Sequence, residues 1–183
     1  MTASGRNRVR IIGGKWRSRL VSFPPAAQLR PTPDRVRETL FNWLGQRLDG
    51  LACLDLFAGS GALGFEASSR GARRVVMVEN GGDVVKALLE SARALGAEGV
   101  EVVATDALAY LGRVREKFDV VFVDPPFASD LAMRAMALLP GAMDLGARVY
   151  VESAAALALP PSWRAVREDR AGAVRYALYE LTP

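Results

Sequence analysis

The chain has no histidine and one cysteine among its 183 residues. Those two side chains supply most proton transfer near neutral pH, most thiolate chemistry and nearly all zinc ligation. Their scarcity removes a Ser-His-Asp triad, a Cys-His dyad, a structural zinc site and an internal disulfide. Chemistry is left to carboxylates, hydroxyls, backbone groups, Arg and Lys, or a bound cofactor. The lone Cys53 sits among apolar residues and reads as packing in a reducing compartment. Long apolar runs are missing too. The longest stretch without a charge runs from Ser153 to Trp163 and holds Pro160 and Pro161, far short of the roughly 20 residues of a membrane span. The opening MTASGRNRVRIIGGKW has no apolar targeting segment. A soluble, cytoplasmic chain with neither membrane partner nor metal is expected. What is present is globular: 50% hydrophobic and 24% charged, at a length that suits one domain with an appendage.

The net charge of +4 averages two unlike pieces. Residues 1–37 carry nine basic side chains, eight of them Arg, against Asp34 alone. The remainder is net acidic, with 15 basic and 19 acidic residues. A basic, Arg-rich segment on an acidic body is the footprint of a polyanion-binding arm. Within it, Arg8-Val9-Arg10-Ile11-Ile12 and Lys15-Trp16-Arg17-Ser18-Arg19-Leu20-Val21 alternate basic and apolar residues around Gly13-Gly14, which predicts a β-hairpin with one basic and one apolar face. Thr32-Pro33 marks a helix start, and Val36, Leu40, Leu44 and Leu48 recur at i+4. This predicts a docking helix over 33–48 that leaves Arg30, Arg35 and Arg37 available. The expected organisation is an arm over 1–32 and a main domain over 33–183, with its sheet in 51–183.

From residue 51 short apolar runs alternate with helical patterns, the signature of an α/β parallel sheet covered on both faces. Strands are predicted at 51–57, 73–79, 100–104, 118–124 and 147–152, and helices at 61–70, 82–95, 106–113 and 130–139. Runs at 163–169 and 173–180 form a closing hairpin around Gly172.

The first of these strands leads into Asp55-Leu56-Phe57-Ala58-Gly59-Ser60-Gly61-Ala62-Leu63-Gly64, a G-x-G-x-x-G between strand and helix, and Glu79 ends the next strand. Glycines let backbone approach a nucleoside cofactor, and an acid at that spacing accepts hydrogen bonds from ribose hydroxyls. Asp55 discriminates among cofactors. A carboxylate there would repel a pyrophosphate and suits a cation; S-adenosylmethionine carries an ammonium and a sulfonium. Asp106, with the Ala107 amide, can meet an adenine edge, although Asp before a helix is also an ordinary cap.

Asp124-Pro125-Pro126-Phe127 follows the fourth strand, at the carboxyl end where ligands bind in open α/β sheets. Two prolines remove two backbone donors and stiffen the turn, leaving carbonyls. With the Asp124 carboxylate this makes an acceptor-only clamp for an exocyclic amine, and Phe127 offers a stacking face. Accepting the two N–H bonds localises the nitrogen lone pair for in-line attack on a sulfonium methyl, by orientation and electrostatics and without histidine.

These residues resemble class I S-adenosylmethionine-dependent methyltransferases of the amine-modifying kind. RIIGGKWRSR, LRPTPDRVRETLFNWL, LDLFAGSGALGFEASSRGA and VFVDPPF, in that order, are similar to the RsmD family of bacterial 16S rRNA guanine-N2 methyltransferases. The resemblance spans nearly the whole chain. It implies a Rossmann-like, seven-stranded, mostly parallel sheet with an antiparallel last strand, acting as a monomer on 16S rRNA, at guanine-966, within a small ribosomal subunit or its assembly intermediate. By position it implies cofactor binding by Asp55, Phe57, Ala58, Gly59, Ser60, Gly61, Glu79, Asp106 and Ala107, and amine binding by Asp124, Pro125, Pro126 and Phe127. RNA would be gripped by Arg8, Arg10, Lys15, Arg17, Arg19, Arg30, Arg35 and Arg37. The tetrapeptide ends in Phe where many amine methyltransferases have Tyr, a change that preserves stacking. Methylation of a DNA adenine or cytosine amine, or of a protein glutamine, and a catalytically silent RNA-binding module are the alternatives.

Overall fold

The computed structural model describes residues 7–25, 29–126 and 130–183. In chain order the elements are β1 (Asn7–Arg10), β2 (Leu20–Phe23), α1 (Asp34–Trp43), β3 (Ala52–Asp55), α2 (Ala62–Ser69), β4 (Arg74–Glu79) and α3 (Gly82–Leu95). There follow β5 (Val100–Ala104), α4 (Ala107–Arg113), β6 (Phe118–Val123), α5 (Leu131–Leu138), β7 (Met143–Ser153), β8 (Trp163–Ala171) and β9 (Val174–Leu181). β3, β4 and β6 are near-continuous apolar runs because helices cover both faces of the sheet they form. Strand order is β5-β4-β3-β6-β7-β9-β8. The pairs from β5 to β7 are parallel, and the last strand, β9, runs antiparallel between β7 and β8. The seven-stranded, mostly parallel sheet expected from the sequence is therefore present.

Alternate residues of the central strands feed two cores. Leu54, Val76, Val121 and Val149 face α4 and α5, while Cys53, Val75, Met77, Phe122 and Tyr150 face α1, α2, α3 and the arm. Cys53 is fully buried and burial pushes its thiol up to about 12, which makes it inert packing. Order reverses at β3, with β4 on one side and β6 on the other, so the crevice at their carboxyl ends is the place where such sheets bind ligands. Among the described residues no helix is long and apolar enough to cross a membrane.

The arm and the docking helix after it differ from their expected form in three respects. β1 and β2 do pair, with Val9 opposite Val21 and Arg10 opposite Leu20, but Gly13-Gly14 is not their turn. Residues 11–19 make a longer connection containing a 3-10 helix at Gly14–Trp16. The reason is tertiary: Trp16 is buried, its N–H donates to Ser69 Oγ (2.9 Å), and Ser69 donates to the Gly13 carbonyl (2.6 Å). Helix α1 stops at Trp43 rather than at 48, because Gly45 and Gln46 take positive φ and the Gln46 N–H closes back on the Phe41 carbonyl. Leu48 still reaches the core, from a loop.

The third difference is Arg37, expected as an RNA contact. It is 0% exposed. Its guanidinium donates to the Thr32 carbonyl (3.0 Å), the Arg10 carbonyl (2.9 Å), Glu66 Oε2 (3.2 Å) and Asp34 Oδ1 (2.6 Å). Burial draws Arg37 below the usual guanidinium value, and Glu66 and Asp34 oppose that. Glu66, also 0% exposed, accepts in addition from the Ile12 and Gly13 amides (2.8 Å each) and from Arg70 Nε (2.8 Å). An acid in the otherwise apolar or small α2 segment ALGFEASS anchors the basic arm, and the arm is part of the folded body.

Candidate active site

At the carboxyl end of β3 the chain turns through Phe57–Gly61 into α2. Gly61 has φ +78, and a Cβ there would meet the Phe65 ring and Leu88 at 2.6–2.7 Å. Gly64 is helical, yet a Cβ would strike Met77 of β4 at 2.5 Å, so its role is close helix-to-strand packing. Asp55 is buried and accepts from the Gly64 amide (2.9 Å), bracing the first turn of α2 while lining the cleft. Burial pushes its carboxyl up to about 7; the Gly64 hydrogen bond opposes this and nearby Glu79 adds to it. Glu79, ending β4, accepts from the Gly59 (3.0 Å), Asn80 (2.9 Å) and Gly81 (2.8 Å) amides, which aligns the glycine turn across from it. Asp106 caps α4 through the Ala109 amide (2.8 Å) and remains exposed at the rim.

Asp124, Pro125 and Pro126 follow β6 on the opposite wall, and Phe127 lies outside the described residues. All of these elements open on one cleft of about 1160 Å³, above the roughly 300–1,000 Å³ typical of one small ligand. Phe57, Ala58, Gly59, Ser60, Asp55, Glu79, Asp106, Ala107, Asp124, Pro125 and Pro126 line it, together with Asn7 and Leu29–Thr32 from the arm. Gly61 does not line it and serves as the left-handed N-cap of α2. Among the described residues four acids and one base, Arg30, give the cleft an acidic lining. That lining and the acceptor set fit a nucleoside cofactor with a cationic head: Glu79 for ribose hydroxyls, Asp55 for the cation, Thr105 to Ala107 for an adenine edge.

Two residues that the sequence pattern does not assign to the site, Thr32 marking only a helix start there, complete the Asp124 wall of the cleft. The Thr32 hydroxyl, in the strap between β2 and α1, donates to Asp124 Oδ2 (3.3 Å). Glu152, 5% exposed on β7, accepts from the Tyr150 hydroxyl (2.7 Å) and stands beside Asp124, since Val151 pairs with Val123 in register. Burial, followed by Glu152 and Asp55, holds Asp124 well above the usual carboxylate range. The only sequence signal for Glu152 is an acid inside the apolar run RVYVES at the carboxyl end of a strand.

The candidate RNA cations form a graded set. Arg8, Arg10, Lys15, Arg17, Arg19, Arg30 and Arg35 are exposed. Arg10 pairs with Asp34 (3.0 Å), Arg19 donates to the Ala94 carbonyl (2.7 Å), and Lys15 Nζ sits 4.2 Å over the Trp16 ring. Arg30 stands at the cleft mouth.

A family model described as "Conserved hypothetical protein 95" matches residues 9–180. The chain is 43% identical over 182 residues to ribosomal RNA small subunit methyltransferase D of Escherichia coli strain K12, covering 97% of this chain and 92% of that protein. It is 41% identical over 187 residues to the protein of the same name from Haemophilus influenzae, covering 98% and 97%. Among solved structures it resembles the putative methyltransferase yhhF of Escherichia coli, with TM-score 0.88, 42% identity and coverage of 96% and 99%. The fold is also that of a Thermus thermophilus 16S rRNA N2 G1207 methyltransferase in complex with AdoMet and guanosine, with TM-score 0.72, 21% identity and coverage of 97% and 50%.

Proposed function

The chain belongs to the ribosomal RNA small subunit methyltransferase D family, and on that premise we propose that it methylates the exocyclic N2 amine of a guanine in 16S rRNA, using S-adenosylmethionine. The observation that carries this reading is that one cleft joins the glycine turn, Glu79, the Asp124-Pro125-Pro126 turn and the strap of the basic arm. When bound, S-adenosylmethionine supplies a methyl group already activated on a sulfonium. The protein then needs only to place an amine, accept from its N–H bonds and remove one proton, for which carboxylates suffice. Glu79 and the 58–60 backbone hold the nucleoside side, Asp55 faces the charge, and Asp124 with the rigid prolines orients the amine. The strap brings Arg30 to the mouth, and the exposed arginines of the arm grip phosphates around a guanine flipped out of a single-stranded or loop region. We assign the target to guanine-966, reached by a single copy of the chain in the small subunit or its assembly intermediate.

With labelled cofactor and small subunits lacking the modification, the wild-type protein should incorporate methyl into RNA. Replacing Arg8, Arg10, Arg17 and Arg19 together should weaken RNA binding and lower the log–log salt slope by roughly 0.7–0.9 for each phosphate no longer neutralised; an unaltered slope would show that the arm is not the grip. Cofactor affinity should depend on Asp55. A cationic ligand favours its ionised form, so as pH falls below about 7 and Asp55 takes up its proton, affinity by calorimetry should weaken by up to about tenfold per pH unit. A flat profile across that range would remove Asp55 from the cation site.

A further inference from the structure

We propose that Glu152 is a positioning residue of the amine site and receives, through Asp124, the proton that the methylated amine must lose. The inference rests on the amine-methyltransferase reading above and adds to it a carboxyl pair with divided labour.

The pair is built by the sheet. β6 and β7 run parallel with Val123 beside Val151, so the next residues, Asp124 and Glu152, stand side by side at the carboxyl ends. Asp124 faces the cleft. Glu152 lies behind it at 5% exposure and does not line the cleft, so it reaches substrate only through its neighbour. Two carboxyls held side by side and shielded from water cannot both ionise without mutual repulsion, so the pair retains a proton.

Its location follows from the surrounding groups. Tyr150 O–H donates to Glu152 Oε1 at 2.7 Å, and the Thr32 hydroxyl donates to Asp124 Oδ2 at 3.3 Å. Burial raises Glu152, and the short Tyr150 bond opposes that by favouring its charged form. Burial, then Glu152 from β7 and Asp55 from β3, raise Asp124, and the Thr32 hydroxyl opposes them. In this proposal the shared proton rests on Asp124, and Glu152 behind it is the partner that can receive it. Tyr176 of β9, opposite Glu152 in register, gives its own hydroxyl to Asp169 (2.9 Å) and so does not quench the pair. From the strap side, Arg37 binds the Thr32 carbonyl (3.0 Å), which fixes the hydroxyl.

The proton step balances. The amine lone pair forms the new N–C bond and the nitrogen becomes positive. One of its N–H bonds then breaks, leaving its electrons on nitrogen, and the proton joins the unprotonated oxygen of Asp124. The proton already on Asp124 passes to Glu152. The products are a neutral methylated amine and a pair in which both carboxyls are protonated, to be reset by solvent. Asp124 can thus face the amine in its neutral form and still act in proton removal.

Glu152→Gln keeps the shape and an acceptor for Tyr150 but cannot take the proton. In single-turnover methylation of small subunits lacking the modification, E152Q should lower the rate by roughly 10²-fold near neutral pH, with cofactor and RNA affinities unchanged, and move the acid limb of the pH profile to lower pH. Tyr150→Phe removes a donor from the charged form of Glu152, so its acid limb should move the opposite way. Loosened packing would not give opposite displacements. Independently of activity, carboxyl carbon resonances of the cofactor-free protein should show Asp124 and Glu152 titrating as a coupled pair, and Asp124 titrating lower in E152Q. The inference is overturned if E152Q matches wild type in rate and profile, or if Asp124 titrates as an isolated carboxyl. Absence of methyl transfer by the wild-type protein would instead refute the proposed function itself, and the inference with it.

Discussion

Replacing Asp124 by alanine should lower kcat on small-subunit RNA by about 10³-fold or more and leave cofactor affinity within a few-fold of wild type. The two effects separate because the two walls of the cleft are built from different strands. Asp124 follows β6, whereas Asp55 and Glu79 end β3 and β4. Alanine removes the acceptor that orients the amine and the carboxyl beside Glu152, leaving that buried acid with its Tyr150 donor. Asp124→Asn should be milder, since the amide retains a carbonyl acceptor for the amine and loses only the path for the proton. A D124A protein with wild-type turnover would remove the amine clamp. Cofactor affinity that fell in step with turnover would place Asp124 in the cofactor site instead.

Arg37→Ala should destabilise the fold by about 3–5 kcal/mol, the usual loss when one member of a buried ion pair is removed. The figure is large because Glu66 and Arg37 are both fully buried, and because the Thr32 and Arg10 carbonyls lose their donor as well. For a chain of this size that corresponds to a fall in Tm on the order of 10 °C. Arg37→Met should lose less than Arg37→Ala, since its apolar chain fills the space of the stem while Arg70 still pairs with Glu66 (2.8 Å). Activity should fall too, because Thr32 connects this network to Asp124. Were Arg37 an RNA contact, its removal would change the salt slope of RNA binding and leave the denaturation midpoint in place. That pattern would contradict the structure.

The contrast between Arg37 and the rest of the molecule shows what a linear sequence carries. Central strands were legible because burial on both faces demands apolar runs, and α3 was legible to the residue because Gly81 and Gly96 bracket one amphipathic repeat. β7 begins earlier than its pattern suggests. Residues 144–147 form an irregularity opposite Phe118 and Val120, with Gly146 at φ +84, so they read as a turn although they belong to the strand. The glycine turn, Glu79 and the Asp-Pro-Pro turn announce themselves because close approach and rigidity require particular residue types. Arg37, Glu66, Thr32 and Glu152 do not, since their partners are far away in sequence and a charge that will be buried has the same local signature as an exposed one. The long connection of the arm hairpin was hidden for the same reason: alternation continues through Lys15-Trp16-Arg17, and only Ser69 on α2 turns Trp16 inward.

In the proposed function one cleft serves both a cationic cofactor and a guanine amine. The most direct test is to incubate the protein with S-adenosylmethionine carrying a labelled methyl and small ribosomal subunits lacking the modification, then digest the RNA and locate the label by mass spectrometry. The predicted result is a single methyl on the N2 amine of one guanine of 16S rRNA, absent with Asp124→Ala. Label on adenine, on a ribosomal protein or nowhere would contradict it.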